Sequence, residues 1–389
     1  MKTFKRIRTA LVISLRGLGR RWWASLNSVF GTAVVVAVMV AILAIGAGYS
    51  EAMKMAEVDD AYMILKGGVR SEMESTLEGP DVRLIESELG GDAAAEVYVV
   101  TSIEDSEGEP VNVALRGIGT GSVDIRPGWT LSAGRMPREG RRQIVVGKRA
   151  QQHFGGLALG DAIRLGSASW TVVGMFETGG SLTESEIWAG ATPVQDAFDR
   201  PDAYQVVIAS PQDGESPQDM QTRINRDDRL SVSVVSMADY YGEQARAMER
   251  FVSILGYGIG SLMALGAIFA ALNTGLGHIK TRAKEIATLS ILGWTRSSLT
   301  VALAIETVLM TVLGGLIGVA LVHLIFDDRL ISTLFFAEDF TQIVFDFEVT
   351  AAILWQAVAM ALVIGLLGSI GPAMQLRRLP VAQILLQRR

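Results

Sequence analysis

Four long apolar stretches set the limits on what this chain can fold into. Residues 28–49 run for 22 positions and residues 251–277 for 27 without a charged side chain, residues 349–376 carry no charge, and residues 299–326 carry only Glu306. At 1.5 Å per residue, about 20 apolar residues cross a hydrocarbon core of about 30 Å. Each stretch therefore reads as a membrane-spanning helix, since buried helices of soluble domains seldom sustain such runs. The mean hydropathy of +0.33 and a charged fraction of 20% agree with a membrane protein. For the first stretch the rival is a cleaved secretory signal. Its basic leader of 27 residues and its 22-residue apolar run are both long for a signal, and favour an uncleaved anchor.

Charge orders these spans. Residues 1–27 hold seven bases and no acid, residues 278–298 four bases and one acid, and residues 377–389 four bases. By contrast, the segment between the first two spans holds 19 bases against 33 acids, and residues 327–348 one base against six acids. Basic and acidic segments alternate across the four spans, the pattern that the positive-inside rule associates with cytoplasmic and external faces. Both termini and the 278–298 loop are thus expected on the cytoplasmic side of the membrane. Residues 50–250 and a short external loop, 327–348, are expected outside it.

Ahead of the first span, Phe4, Ile7, Leu11, Leu15, Leu18 and Trp22 recur at steps of three and four among Lys and Arg. This predicts a basic amphipathic helix on the inner leaflet, with a solvated basic tail as the alternative.

The external segment has no long apolar run. It has β-rich stretches at 62–66, 96–101, 111–116, 143–146, 169–176, 204–209 and 231–235, and helical stretches at 81–89, 148–154 and 219–226. A mixed α+β domain follows, divisible into two subdomains with about 111–195 inserted as one unit. Residues 238–250 read as a helix running straight into the second span. Gly117, Gly119 and Gly121 lack the strand-to-helix context of a phosphate-binding loop and read as a turn.

Enzymatic chemistry finds little footing. The chain has no cysteine, and its three histidines, His153, His278 and His323, are far apart and outside any HExxH pattern, which argues against catalytic zinc. No GxSxG motif and no paired intramembrane acids occur. No catalytic, cofactor-binding or metal-binding residue is expected in this chain, and nothing suggests nucleic acid as a partner.

Between spans two and three, residues 278–298 read as one amphipathic helix carrying Ile286, Leu289 and Leu292 as an apolar stripe and ended by Gly293. Such a helix can lie on lipid or present its face to a cytoplasmic partner. Within residues 282–296 stands R-x-K-E-I-A-x-L-x-x-L-G-W-T-R, and within 305–318 I-E, six residues, then L-G-G-x-I-G. These runs resemble the coupling helix and third span of the FtsX-like and MacB-like permeases of ABC transporters (type VII), a family that includes macrolide exporters and lipoprotein-releasing permeases. Gly371-Pro372-Ala373 with Pro380-Val381-Ala382 is similar to the terminal element of that family. Residues 143–150, 159–163 and 170–174 resemble its periplasmic domain.

The resemblance implies a membrane α-helical fold of four transmembrane helices, with a large extracytoplasmic α+β domain inserted between helices 1 and 2. It also implies a non-catalytic permease subunit, with Glu285, Ile286, Leu289, Leu292 and Gly293 docking on a separate ABC ATPase dimer that holds ATP and Mg. A second permease chain, identical or related, completes the complex, and a periplasmic adaptor or outer-membrane protein is a further partner in some members. The expected work is export, lipoprotein handling or mechanotransmission. The alternatives are a membrane receptor or sensor, or a regulator of cell-wall hydrolases, using the external domain as a binder.

Glu306 sits near the cytoplasmic end of span three, where an intramembrane acid either serves function or snorkels, and in both cases needs a partner. Gly256 and Gly260 in span two, and Gly314, Gly315 and Gly318 in span three, permit close helix approach, with a hinge as the alternative.

Overall fold

The structure is a computed structural model that describes residues 22–58, 60–90, 93–104, 108–126, 128–212, 214–326, 330–332, 341–378 and 380, with side chains from residue 26 onward except that of Ser332. Most of the predicted N-terminal amphipathic helix, and the terminal element beyond Arg378 apart from Pro380, lie outside the described residues. The chain divides into a membrane unit, Met1–Ala47, Arg250–Asp327 and Glu348–Arg389, and a second unit, Gly48–Glu249 and Asp328–Phe347.

In chain order, α1 (Trp22–Lys54) carries the first span. The second unit then contributes β1 (Tyr62–Lys66), β2 (Leu77–Glu78), α2 (Gly79–Leu89), β3 (Ala93–Glu104), β4 (Pro110–Ile118), β5 (Thr130–Gly134), β6 (Gln143–Gly147), α3 (Lys148–His153), β7 (Ala162–Leu165) and β8 (Ala168–Glu177). After a 3-10 turn, Leu182–Ser185, come β9 (Ile187–Gly190), α4 (Ala191–Ala197), β10 (Ala203–Tyr204), β11 (Val206–Ala209), α5 (Pro217–Ile224) and β12 (Val232–Ser236). The single helix α6 (Met237–Thr281) includes span two, and α7 (Ala283–Ile291), α8 (Arg296–Phe326), the short strands β13 (Leu330–Ser332) and β14 (Val344–Asp346), and α9 (Ala351–Arg377) complete the chain. Among the described residues, four helices are long and apolar enough to cross a membrane: Leu26–Lys54, Met237–Thr281, Arg296–Phe326 and Ala351–Arg377.

Within the membrane unit, glycine sets the helix contacts. A Cβ placed on Gly314 would lie 2.4 Å from the Val29 carbonyl oxygen, and one on Gly318 2.4 Å from that of Ala33, so α8 meets α1 nearly backbone to backbone. Gly256 and Gly260 bring α6 against Leu43 and Met39 of α1, and Gly315 faces Ala361 of α9 at 2.8 Å. All five glycines stand where two helices touch, the packing role that small residues take in lipid. The outward apolar side chains of α6, among them Ile254, Leu262, Leu265 and Phe269, stay exposed on this chain, as a face solvated by a bilayer does.

The second unit is built on one sheet of ten strands ordered β12-β1-β11-β3-β4-β9-β6-β8-β5, with β7 on β8. Most neighbours are antiparallel, but β4 with β9 and β6 with β8 are parallel. The twelve-residue β3 is shared. Ala93–Glu96 pair with β11, whereas Val97 to Glu104 pair with β4. Two cores follow. One lies under α2 and α5, holding Ile64, Val82, Ile85, Val207, Met220 and Ile224. The other gathers Val99, Val113, Ile144, Phe154, Trp170 and Val194. The pairing partner of β3 changes between Glu96 and Val97.

Local chemistry explains the helix ends. Ser216 and Asp219 form a reciprocal capping box before α5, with Pro217 at its first position. Gly90, at φ +72, closes α2.

The described residues of 327–348 are more than a connection between two spans. Its strand β14 pairs with β13, Val344 is fully buried in the second core, and the Ser185 hydroxyl both accepts from the Val344 N–H (2.9 Å) and donates to its carbonyl (3.0 Å). The Gln342 N–H donates to the Asn112 carbonyl at 2.8 Å, so the connection between spans three and four is a structural part of the large domain.

Candidate functional site

The loop between spans two and three is built around one arginine. Arg282 ends α6 and precedes α7 with non-helical torsions. Its Nε binds Glu285 Oε2 at 3.1 Å and its Nη1 binds Glu306 Oε2 at 3.3 Å. Glu306 is 5% exposed, so the intramembrane acid has the partner that its burial requires.

Helix α7 is seated on its own chain. Ile286 and Leu289, with Trp294, pack against Ile279 of α6, Leu299 and Leu303 of α8, and Leu376 of α9. The opposite side presents Lys284, Glu285 and Thr288, and the helix finishes on Ile291 and Leu292, 67% and 71% exposed. Gly293 then turns the chain at φ +88, and the Trp294 N–H donates to the Leu289 carbonyl. Of the five residues expected to dock on a partner, Glu285, Leu292 and Gly293 face outward, whereas Ile286 and Leu289 hold the helix in place.

The large domain contains a buried charge cluster at the changeover in β3. The Arg116 guanidinium on β4 donates to Glu186 (2.8 and 2.9 Å), to Glu72 (2.9 and 3.2 Å) and to Glu96 of β3 (2.9 Å). Glu96 is in turn held by both terminal nitrogens of Arg126, at 2.7 and 2.8 Å. The Trp188 indole N–H donates to Glu186 at 2.7 Å, and the Tyr98 ring lies 4.9 Å from the Arg116 guanidinium carbon. Burial by itself would raise the Glu96 carboxyl, yet Arg126 and Arg116 outweigh it and hold that carboxyl below its ordinary value. Burial opposes the Arg116 charge, but Glu186 and Glu72 prevail and raise its pKa well above the usual value.

A cavity of about 340 Å³ opens over Glu72, Arg116 and Glu186. Its walls are rich in tyrosine (Tyr49, Tyr98, Tyr240, Tyr241) and methionine (Met53, Met73, Met248). Burial, with Glu72 close by, pushes the Tyr240 hydroxyl up to about 12, and burial likewise raises Tyr98 and Tyr241. The Glu72 N–H donates to the Tyr240 hydroxyl at 3.2 Å. Among the described residues, no group of three or more His, Asp or Glu side chains is placed to hold a metal ion.

Two family models match this chain. That of the MacB-like periplasmic core domain covers residues 25–227, and that of the FtsX-like permease C-terminal region covers residues 257–381. The chain belongs to the FtsX-like and MacB-like family of ABC transporter permeases. No curated protein sequence matches it. Among solved structures it is similar to the extracellular domain of the noncanonical ABC-type transporter YknZ from Gram-positive bacteria, at 15% identity over 45% of this chain and 99% of that one, with a TM-score of 0.36. It is also similar to the periplasmic region of MacB from Actinobacillus actinomycetemcomitans, at 12% identity over 48% and 92%, with a TM-score of 0.38. The family assignment rests on the two family models.

Sequence reasoning found α7 in this FtsX-like permease but missed the charge cluster. A signal was present: Glu96 and Arg116 each interrupt a strand that is otherwise nearly apolar, Ala-Ala-Ala-Glu-Val-Tyr-Val-Val and Val-Asn-Val-Ala-Leu-Arg-Gly-Ile. A lone charge inside such a strand implies a buried counter-charge.

Proposed function

We propose that this permease couples ATP hydrolysis on a separate ATPase subunit to conformational change in its extracytoplasmic domain, for export, lipoprotein handling or mechanotransmission. In this reading two permease chains and two ATPase chains form the complex in the bacterial inner membrane, with both termini and α7 on the cytoplasmic side. ATP and Mg are bound by the partner, and this chain contributes no catalytic group. The observation that carries the reading is the exposed Ile291–Leu292 end of α7, an apolar pair on a helix whose other side is already packed. Exposed apolar side chains flanked by Lys284, Glu285 and Thr288 suit a protein groove of complementary polarity. The Arg282 bridge supplies a route for coupling, because displacement of α7 strains the contact with Glu306 of α8.

The test is reconstitution of the permease with its ATPase in proteoliposomes. Ile291→Glu with Leu292→Glu should abolish binding of the ATPase and permease-stimulated turnover while leaving the melting curve of the isolated permease unchanged, since neither side chain is packed. Wild-type binding and stimulation in that variant would overturn the docking assignment.

A further inference from the structure

We propose that the cavity over the Arg116 cluster is a binding site for a small amphipathic monocation, such as a protonated aromatic or alkyl amine. This inference stands apart from the docking of the ATPase and goes beyond it. The cavity, about 340 Å³, falls in the size range of sites that enclose a small organic molecule. Its walls supply the two contacts that an amphipathic cation uses: tyrosine rings, whose faces attract positive charge, and methionine thioethers, which conform to irregular apolar shapes.

The charge balance selects the sign. Glu72 and Glu186 reach the cavity against the single guanidinium of Arg116, and the Glu96–Arg126 pair behind them is neutral as a pair. The lining therefore carries one uncompensated negative charge, in surroundings dry enough for that charge to act strongly. A carboxylate excess in a pocket repels an anion, gives a neutral guest no advantage, and favours a cation.

A second observation is independent of the charge. Tyr241 lines the same cavity and, as a residue, is only 4% exposed. A tyrosine hydroxyl on a cavity wall is a ready hydrogen-bond partner for a guest. The neighbouring Tyr240 hydroxyl is already engaged by the Glu72 N–H.

The experiment uses the full chain in nanodiscs of zwitterionic lipid and isothermal titration calorimetry with three probes of matched shape: 4-phenylbutylamine, 4-phenylbutanol and 4-phenylbutyrate. The amine should bind saturably, with a dissociation constant at or below the order of 1 mM, and the alcohol and the acid at least about tenfold more weakly. Met73→Trp, which fills the cavity from a half-exposed position, should remove binding of the amine without lowering the melting temperature, and Tyr241→Phe should weaken it several-fold. Equal uptake of amine and alcohol, or amine binding unaffected by Met73→Trp, would mean partition into lipid only and would overturn the proposal. Absence of saturable amine binding to the wild-type chain would overturn it as well.

Discussion

Replacing Arg116 by methionine is the sharpest test of how the large domain is held together. Methionine keeps much of the side-chain length and removes the charge. Glu96 retains both of its bonds to Arg126, but Glu186 is left with the Trp188 indole and Glu72 loses both contacts to Arg116. Two carboxylates, each less than a tenth exposed, would then sit in a poorly solvated site with no counter-charge. Removing one member of a buried ion pair typically costs about 3–5 kcal/mol, and domains of this kind are stable by only about 5–15 kcal/mol. The folded-to-unfolded ratio of the domain should fall by two to three powers of ten or more, at about 1.4 kcal/mol per factor of ten. Urea titration of the full chain in detergent, followed by tryptophan fluorescence, reads this directly, because Trp129 and Trp188 stack with Phe176 beside the cluster. Adding Glu72→Gln and Glu186→Gln to Arg116→Met removes the stranded charges and should recover a large part of the loss. A loss under about 1 kcal/mol for Arg116→Met would show that water already reaches these carboxylates. A triple variant no more stable than the single one would refute the argument from uncompensated charge.

Two further outcomes are expected. Gly318→Leu should lower the detergent melting temperature, with about 1–3 kcal/mol of overpacking strain, because its Cβ would fall 2.4 Å from the Ala33 carbonyl oxygen; Gly266→Leu, with nothing within 4 Å of its Cβ position, is the control and should change little. Acid should weaken the domain through Glu96: its folded pKa lies below the ordinary 4.5, so its contribution is fully present above that value and is lost as pH falls through the depressed one. Urea midpoints measured from about pH 6 to about pH 3 should fall less steeply in Glu96→Gln than in wild type, and parallel curves would rule this out.

Much of the architecture was legible because the bilayer leaves so few solutions. Uncharged runs locate the spans, and the strands at 62–66, 143–147 and 168–177 stand out through apolar and β-branched content bounded by polar turns. What escaped was short or solvated. Thr130–Gly134 is mostly exposed, and Ile187–Gly190 has four residues, too few for a period-two pattern to show. The strands at 330–332 and 344–346 fall in an acidic segment whose charge reads as that of a solvated loop and conceals that Val344 and Phe345 are core residues. In α7 the apolar stripe was visible, but its direction was not. Span ends Leu299, Leu303 and Leu376 compete for Ile286 and Leu289, and that competition is set by tertiary packing. The cavity combines residues nearly 300 positions apart, so no local pattern could announce it.

The shared strand β3 makes the two halves of the large domain a single cooperative object. Side chains alternate faces along a strand, so a slip of one residue in β3 would turn the apolar side chains of both cores outward at once, and would also carry Glu96 away from Arg116 and Arg126. An insertion at the changeover between Glu96 and Val97 would therefore put the two halves out of phase with one another, forcing a bulge or costing one of them its register. Insertions after Ala209, outside the strands, would leave that register untouched, and length variation has room there.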